Sequence, residues 1–159
     1  TAEYRRIVEN LRAAFLNPSI TTDIMVGFAG ETEEEFAQSL DFAREIGFAK
    51  AHVFAYSIRP GTRAASMPGQ LTNACKEQRS AAMIAVTDAT RKEFLQRQVG
   101  LVEEVLFETS TAGGMYHGYT PNYTPVAVAS PENLCGRLCN VRITGLSQDG
   151  DGCVGTVEM

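Results

Sequence analysis

Two glycines and an arginine lie where the sequence predicts that strands end. Gly27 and Gly30 follow the apolar run at residues 24–26, and Arg59 follows a second predicted strand at residues 51–57. Glycine lets a ligand approach the backbone, and the helix N-terminus that follows Gly30 favours anions. A guanidinium can hold a phosphate or a carboxylate. These residues predict a ligand-binding edge, although a glycine turn is commonly a plain connection and Arg59 could instead pair with an acidic neighbour.

A second group of candidate residues is aromatic and lies in the last third of the chain. It comprises Tyr116, Tyr119, Asn122 and Tyr123. Such clusters stack nucleobases, but tyrosines also pack on small barrels without binding anything. Residues 99–159 contain seven acidic side chains and only two basic ones, Arg137 and Arg142. Phosphate contacts supply most nonspecific affinity for nucleic acid, so we expect this part alone to bind RNA weakly.

The cysteines and histidines do not form a recognisable metal site. Cys135 and Cys139 could suggest a thiolate centre, but two ligands do not hold an ion, and four residues along a strand span about 13 Å. We interpret both as small apolar fillers of a strand and all four cysteines as reduced thiols. His52 and His117 have no partners at ligand spacing, and no serine–histidine–aspartate order is present. No catalytic residue and no metal ligand is predicted.

Hydrophobic periodicity predicts the elements that position the first group. Apolar residues at helical spacing predict a helix over residues 4–15 with one buried face. Strands are predicted at residues 20–26 and 51–57, and the helix between them forces the two strands to be parallel. Parallel strands need cover on both faces and several neighbours. Two strands are too few, so we expect an incomplete sheet that exposes unsatisfied surface on its N-terminal side.

Helix boundaries are marked by short polar motifs. Thr32 and Glu35 fit a capping box at the start of the helix between the strands, and Gly47 fits its end. After a turn-rich loop, Thr72 or Asn73 caps a long helix that runs to about residue 98. This helix is expected to bridge two domains, and the residues near one of its faces are Met83, Val86, Thr90 and Phe94.

From Val99 the apolar period changes from helical to two, which indicates strands. The first strand is predicted to start at Val99, and one of its faces contains Val99, Leu101, Glu103, Val105 and Phe107. Further strands are predicted near residues 124–129, 137–146 and 153–159. About five short strands in 60 residues fit a small closed barrel. The predicted fold class is therefore α/β followed by all-β.

Composition limits the classes of protein that the chain can represent. Its 159 residues are 44% hydrophobic and 21% charged, which excludes wholesale disorder. No apolar run is long enough to cross a bilayer, and no basic segment leads into an apolar stretch near Thr1, so we expect a cytoplasmic protein without a membrane partner. A net charge of −5 argues against indiscriminate binding of polyanions.

Three sequence strings resemble a known family. Residues 22–32 read TDIMVGFAGET and residues 52–62 read HVFAYSIRPGT. Both are similar to the radical S-adenosylmethionine methylthiotransferases, and residues 99–159, with GYTPNY at 118–123, look like the TRAM domain of those enzymes. Among subfamilies, residues 52–54, 67–70 and 122–123 look most like the enzyme that thiomethylates threonylcarbamoyladenosine beside the tRNA anticodon.

The resemblance implies a fold and a division of the chain. Residues 1–70 would be the last βα units of a TIM-like radical barrel, residues 71–98 a connecting helix and residues 99–159 a five-stranded, OB-like TRAM barrel. It implies S-adenosylmethionine and two 4Fe-4S clusters as cofactors of the full-length enzyme. The ligands of both clusters would lie outside this chain, so we expect it to bind no cluster and to be inactive alone.

The resemblance also implies which residues touch the cofactor and the RNA. Cofactor-binding residues would be Met25, Gly27, Phe54 and Tyr56. RNA or substrate would meet Arg59, Tyr119, Asn122, Tyr123 and Arg142. The implied partners are tRNA, an electron donor and the N-terminal domains of the same chain. Alternatives are a standalone RNA-binding module, or part of a related enzyme that acts on isopentenyladenosine in tRNA or on ribosomal protein S12.

Overall fold

The computed structural model describes residues 1–158, which form two compact units. The first unit comprises residues 1–9 and 20–91, and the second comprises residues 10–19 and those from Lys92 onwards. The helices are α1 (Ala2–Ala14), α2 (Glu33–Ile46) and α3 (Asn73–Gln98), with a 3-10 turn at Arg63–Ser66. The strands are β1 (Thr21–Val26), β2 (Lys50–Ala55), β3 (Val102–Thr111), β4 (Met115–Tyr119), β5 (Pro125–Ala129), β6 (Leu138–Leu146) and β7 (Cys153–Val157).

The first unit contains a parallel sheet of two strands. β1 and β2 pair in register, with Asp23 opposite His52 and Met25 opposite Phe54. Side chains alternate between the faces of a strand, and these four residues are exposed whereas Ile24 and its neighbours on the other face are covered. We call the face that carries Asp23, Met25, His52 and Phe54 the open face. The predicted incomplete sheet is confirmed.

Helix α2 begins and ends as its sequence predicts. The Thr32 hydroxyl accepts a hydrogen bond from the Glu35 backbone, and the Glu35 carboxylate accepts one from the Thr32 backbone, which completes the capping box. Gly47 ends the helix in the left-handed conformation, at φ 64°. Inward-facing residues of α2 join a core that contains Val26, Phe36, Ala43, Ile46, Phe48, Met83 and Val86.

Helix α3 has the predicted boundaries, and the four residues predicted to share a face form a buried stripe. Met83, Val86, Thr90 and Phe94 are all buried. The same spacing continues toward the N-terminus of the helix through Arg79 and Lys76, which are 4% and 6% exposed. Burial of two basic side chains is uncommon unless they have partners, so this end of α3 differs in character from the rest of the stripe.

The second unit contains a closed barrel of five strands in the order β3-β4-β5-β7-β6. β5 and β7 pair in parallel and the other neighbours are antiparallel. Its core contains Val105, Phe107, Val126, Val128, Val141, Ile143 and Cys153. The structure confirms an α/β region followed by a five-stranded barrel.

Two local predictions are wrong. Val99 does not begin the first barrel strand, because the backbone N–H groups of Val99 and Leu101 bond to the carbonyls of Gln96 and Gln98 and form a turn before β3. The helix over residues 4–15 does form, as α1, but among its apolar residues only Val8 is buried. Amphipathic spacing makes a helix possible, whereas burial also needs a neighbour to pack against.

None of the helices within residues 1–158 has the combination of length and apolar character needed to cross a membrane.

Candidate functional site

The open face presents two of the predicted cofactor-binding residues side by side. Met25 and Phe54 are register partners and are 45% and 48% exposed. A thioether and an aromatic ring next to each other suit a flat apolar ligand group. The other two predicted residues, Gly27 and Tyr56, lie at the carboxyl ends of the same strands but are buried.

Tyr56 is packed between an aromatic ring and a cation. Its ring meets that of Phe28 edge to face at a centroid distance of 4.9 Å, and the Lys76 ammonium lies 5.2 Å from its centroid. The Tyr56 hydroxyl is fully buried and has no hydrogen-bond partner within the chain. A buried polar group without a partner destabilises the fold. The Tyr56 hydroxyl is therefore a hydrogen-bonding group at the strand ends that no described residue satisfies.

Arg79 fixes the loop that follows β1. Its Nη1 donates to the Glu31 carboxylate at 2.5 Å and to the Glu31 carbonyl at 2.9 Å, and its Nη2 donates to the Glu33 carboxylate at 2.5 Å. The Gly27 backbone N–H donates to the same Glu31 carboxylate at 2.8 Å. Gly27 has a φ of +72°, a backbone conformation that residues other than glycine rarely adopt. One carboxylate therefore links the turn at Gly27 to α3.

The pKa of Arg79 reflects this pairing. Burial lowers the pKa of Arg79, but hydrogen bonds to Glu33 and Glu31 outweigh burial and hold it above the ordinary value of a guanidinium. Arg79 and Lys76 are not among the residues that the sequence motifs predict for this site. The signal was present, because both residues continue the spacing of the buried stripe of α3.

A second loop folds against the first. The Gly30 backbone N–H donates to the Gly69 carbonyl at 2.9 Å, and the Gln70 amide donates to the carbonyls of Ala64 and Met67. Gln70 Oε1 is buried without a partner. Arg59 lies at the start of this loop and is exposed, in a position from which its guanidinium could meet a ligand in solution.

A cavity of about 650 Å³ lies on the other side of the sheet from the open face. Its lining mixes apolar and polar residues of α1, α2, α3 and the loop after β1, and Thr22 and Ile24 contribute the β1 wall. Because these two side chains point away from Met25, the cavity and the open face are separate surfaces.

The barrel carries an exposed pair of tyrosines. The Tyr119 and Tyr123 rings lie 6.0 Å apart between centroids, and the two residues are 42% and 80% exposed. Tyr123 has a φ of 62°, an unusual value for a residue that is not glycine. We call Tyr119 and Tyr123 the tyrosine pair.

Asn122 builds the turn that presents the tyrosine pair. Its Oδ1 accepts from the Thr120 hydroxyl at 2.6 Å and from the Thr124 hydroxyl at 2.7 Å, and its Nδ2 donates to the Asn17 carbonyl at 2.9 Å. These bonds occupy both ends of the amide. Asn122 is therefore engaged in shaping the turn, which leaves it less able to contact RNA directly.

The two basic residues of the barrel are both paired. Arg142 donates to the Glu158 carboxylate at 2.5 Å and to the Gly100 carbonyl at 3.3 Å. Arg137 donates to Glu132 at 3.1 Å. Both pairs are exposed, where ion pairs stabilise little and exchange readily, so a phosphate could compete for either arginine only at the expense of a carboxylate contact.

No group of three or more histidine, cysteine and acidic residues in the described range is arranged to hold a metal ion. The four cysteines carry thiols and not disulfides. Cys139 lies in β6, but Cys135 is exposed in the turn before it, so the interpretation of both as fillers of a strand is wrong for Cys135. The described residues do not fit an iron–sulfur cluster.

Comparison with known proteins identifies relatives over most of the chain. The chain is 37% identical over 145 residues to the tRNA-2-methylthio-N(6)-dimethylallyladenosine synthase of Pelotomaculum thermopropionicum, covering 90% of the chain and 32% of the relative. The same-named protein of Chloroflexus aurantiacus is 39% identical over 150 residues, covering 92% and 32%. The threonylcarbamoyladenosine tRNA methylthiotransferase of Bacillus subtilis is 36% identical over 140 residues, covering 86% and 31%.

The chain thus spans about a third of the length of these curated relatives. No family model matches it.

Proposed function

Because the chain belongs to the tRNA methylthiotransferase family, we propose that it is part of an enzyme that adds a methylthio group to C2 of threonylcarbamoyladenosine beside the tRNA anticodon. In this proposal the chain contributes one edge of the cofactor pocket and a surface for tRNA. The identity to relatives named for this chemistry, over most of the chain, is the observation that carries the proposal.

The open face is the proposed cofactor edge. S-adenosylmethionine and two 4Fe-4S clusters would supply the radical chemistry and the methylthio group in the complete enzyme. Met25 and Phe54 would contact the flat adenine, since both are exposed and adjacent. Gly27 and Tyr56 are buried at the carboxyl ends of β1 and β2, so they would support the cofactor edge rather than line its surface. The cluster ligands would come from parts of the complete enzyme outside this chain.

The tyrosine pair is the proposed contact for tRNA. Exposed aromatic rings stack on bases of any sequence, and one stacked base contributes about 1–3 kcal/mol. The pairing of Arg137 and Arg142 with carboxylates supports stacking over phosphate contacts in this unit. Arg59 is the proposed contact at the carboxyl edge, since it is exposed beside the strand ends.

A second substrate, dimethylallyladenosine in tRNA, is favoured by the names of two of the three relatives above. Both candidate substrates are adenosines modified at N6, and either fits an enzyme that modifies C2. The threonylcarbamoyl group is preferred here because the sequence at residues 52–54, 67–70 and 122–123 is similar to that subfamily.

The substrate is tested by mass spectrometry of tRNA nucleosides from a strain that lacks the complete gene. We expect methylthio-threonylcarbamoyladenosine to disappear and its precursor without the methylthio group to accumulate. Loss of methylthio-dimethylallyladenosine instead would support the second substrate. An unchanged nucleoside profile would contradict both.

The RNA surface is tested with the chain itself and an RNA anticodon arm. Tyr123→Leu should weaken binding about tenfold, since it removes one stacking ring. Tyr4→Leu is the matched control, because Tyr4 is also a partly exposed tyrosine but lies in α1. Equal affinities of the two variants would contradict the tyrosine pair as the contact.

A further inference from the structure

Gln98 is a polar residue in a core position. It follows Phe94 by about one helical turn, so it continues the buried stripe of α3, and it is 1% exposed. A buried amide destabilises the fold unless it is hydrogen-bonded, whereas an apolar side chain would fill the same space without needing partners. The amide of Gln98 therefore calls for a reason other than packing.

The partner of Gln98 is Asn17, in the segment between α1 and β1. The Asn17 Nδ2 donates to Gln98 Oε1 at 2.6 Å. The Gln98 Nε2 donates to Asn17 Oδ1 at 3.3 Å and to the Phe94 carbonyl at 3.0 Å. The two amides thus satisfy each other. A fully bonded polar network selects one arrangement of its members, because any other arrangement leaves a buried polar atom unpaired.

Asn17 also holds the turn that carries the tyrosine pair. Its backbone carbonyl accepts the hydrogen bond from Asn122 Nδ2, which joins residues 105 positions apart in the chain. The Asn122 Oδ1 accepts from the hydroxyls of Thr120 and Thr124, which are 4% and 1% exposed. All of these residues belong to the second unit. We call Asn17, Gln98 and Asn122 the amide network.

The backbone is unusual at both ends of this connection. Asn17 and Tyr123, at φ 50° and 62°, are the residues other than glycine with a positive φ within residues 1–158. Asparagine adopts this conformation readily, but tyrosine does so only where surrounding contacts stabilise it. Asn122 directly precedes Tyr123, so the amide network supplies such contacts at the adjacent residue. Backbone strain of this kind is concentrated at sites that bind ligands.

We propose that Asn17 and Gln98 are positioning residues for RNA, because they hold the turn at residues 120–124 so that Tyr123 stands beside Tyr119 before RNA binds. The inference rests on the proposed function, since it takes the tyrosine pair as the RNA contact. A ring that is already held in place loses less conformational freedom on binding, which strengthens the affinity. Neither positioning residue needs to touch RNA, because Gln98 is buried and its amide engages that of Asn17.

The experiment is a double-mutant cycle on the 159-residue chain, with the RNA anticodon arm as the probe. Asn17→Gly removes the amide, adopts the same positive φ and keeps the carbonyl to which Asn122 donates. Gln98→Met removes the other amide and keeps a long unbranched side chain. Asn133→Gly is the matched control, since the Asn133 side chain also accepts a backbone hydrogen bond but lies in the turn between β5 and β6.

Two quantities are measured for each variant: the affinity for the anticodon arm, and the nuclear Overhauser effect between the rings of Tyr119 and Tyr123 without RNA. We expect Asn17→Gly and Gln98→Met each to weaken this ring contact and to lower the affinity about fivefold. The double variant should lose no more affinity than either single variant, because both break the same pair of amides. Asn133→Gly should match the parent chain in both measurements.

The two measurements distinguish positioning from a purely structural role. A lower unfolding temperature with unchanged ring contact and unchanged affinity would mean that the amides only stabilise the unit, and would overturn the inference. Additive losses of affinity, or a loss of affinity with an intact ring contact, would overturn it as well. If Gln98→Met does not fold, the ring contact and the affinity of Asn17→Gly decide the question alone.

Comparison with Tyr123→Leu separates this inference from the proposed function. If Tyr123→Leu weakens binding but Asn17→Gly does not, whether or not the ring contact survives, the inference fails and the tyrosine pair stands. If Tyr123→Leu binds the anticodon arm as tightly as the parent chain, the tyrosine pair is not the contact and both fail. Matching losses of ring contact and affinity in Asn17→Gly, alongside a loss in Tyr123→Leu, would support both.

Discussion

The two units differ in how completely the backbones of their strands are hydrogen-bonded. In the second unit, each of the five strands has a neighbour on both sides, because β3 pairs with both β4 and β6. In the first unit, β1 and β2 pair only with each other among the described residues, and one face of their sheet is exposed. A closed barrel satisfies its own hydrogen bonds, whereas an open sheet leaves donors and acceptors available.

The difference shows which forces hold each unit. The barrel depends on close approach of backbones, and the first unit depends on helices packed against one face of the sheet and on the ion pairs of Arg79. Substitutions should therefore destabilise the two units for different physical reasons.

The largest effect is expected from Arg79→Leu in the first unit. It leaves the Glu31 carboxylate, which is 14% exposed, without its cation, and removal of one member of a buried pair costs about 3–5 kcal/mol. Urea denaturation followed by circular dichroism measures the loss. Arg44→Leu is the control, since the Arg44–Asp41 pair is exposed and its removal should cost less than about 1 kcal/mol. Equal losses would contradict the importance of the buried pair.

Gly118→Ala should destabilise the barrel by about 3 kcal/mol. A Cβ at Gly118 would lie 2.2 Å from the Leu106 carbonyl oxygen, so β3 and β4 would have to separate. Amide hydrogen exchange should increase in the second unit and not in β1 and β2. In the control Gly145→Ala, the new Cβ would meet Val154 at 3.8 Å, an ordinary contact. Similar exchange in both variants would refute the steric explanation.

Thr32→Ala should cost about 1 kcal/mol, because it removes the side chain that caps α2. The loss should appear as faster amide exchange in the first turn of α2, with the barrel unaffected. Thr32→Ser retains the hydroxyl and should restore the parent stability. If serine and alanine behaved alike, the cap would contribute nothing measurable.

The smallest effect is expected from the exposed pair of Arg5 and Glu45. The hydrogen bond from Arg5 lowers the pKa of Glu45 below its ordinary 4.5, although burial opposes this. A carboxylate whose folded pKa is lowered stabilises the fold above its unfolded pKa, and this contribution is lost as the pH falls through the folded pKa. The thermal stability of the parent chain and of Glu45→Gln should therefore converge below about pH 4.5. A carboxyl carbon titration gives the pKa directly, and Arg5→Gln should raise it.

The sequence predicted those elements whose signals are local. The capping box at Thr32 and Glu35 and the stop at Gly47 lie within a few residues of the helix ends that they define. The alternation that places Val105 and Phe107 inside the barrel is equally local. Such features need no knowledge of distant residues, which is why the structure confirms them.

Other features depend on residues far away in the chain. Arg79 pairs with carboxylates 46 and 48 residues earlier, and a basic residue on a helix is ordinarily expected to be exposed. Arg142 is paired because β6 and β7 bring Glu158 beside it. Most apolar residues of α1 are exposed, because the described residues do not cover them. The amphipathic spacing of α1 does not reveal whether such a neighbour exists.

The left-handed backbone of Tyr123 limits what evolution or a designer can place there. Residues branched at Cβ fit that conformation poorly, while asparagine and glycine adopt it readily but offer no ring. A library randomised at position 123 and selected only for thermal stability should therefore return glycine and asparagine. The same library selected for capture of an anticodon arm should return aromatic residues, so the two selections would separate the demands of folding from those of recognition.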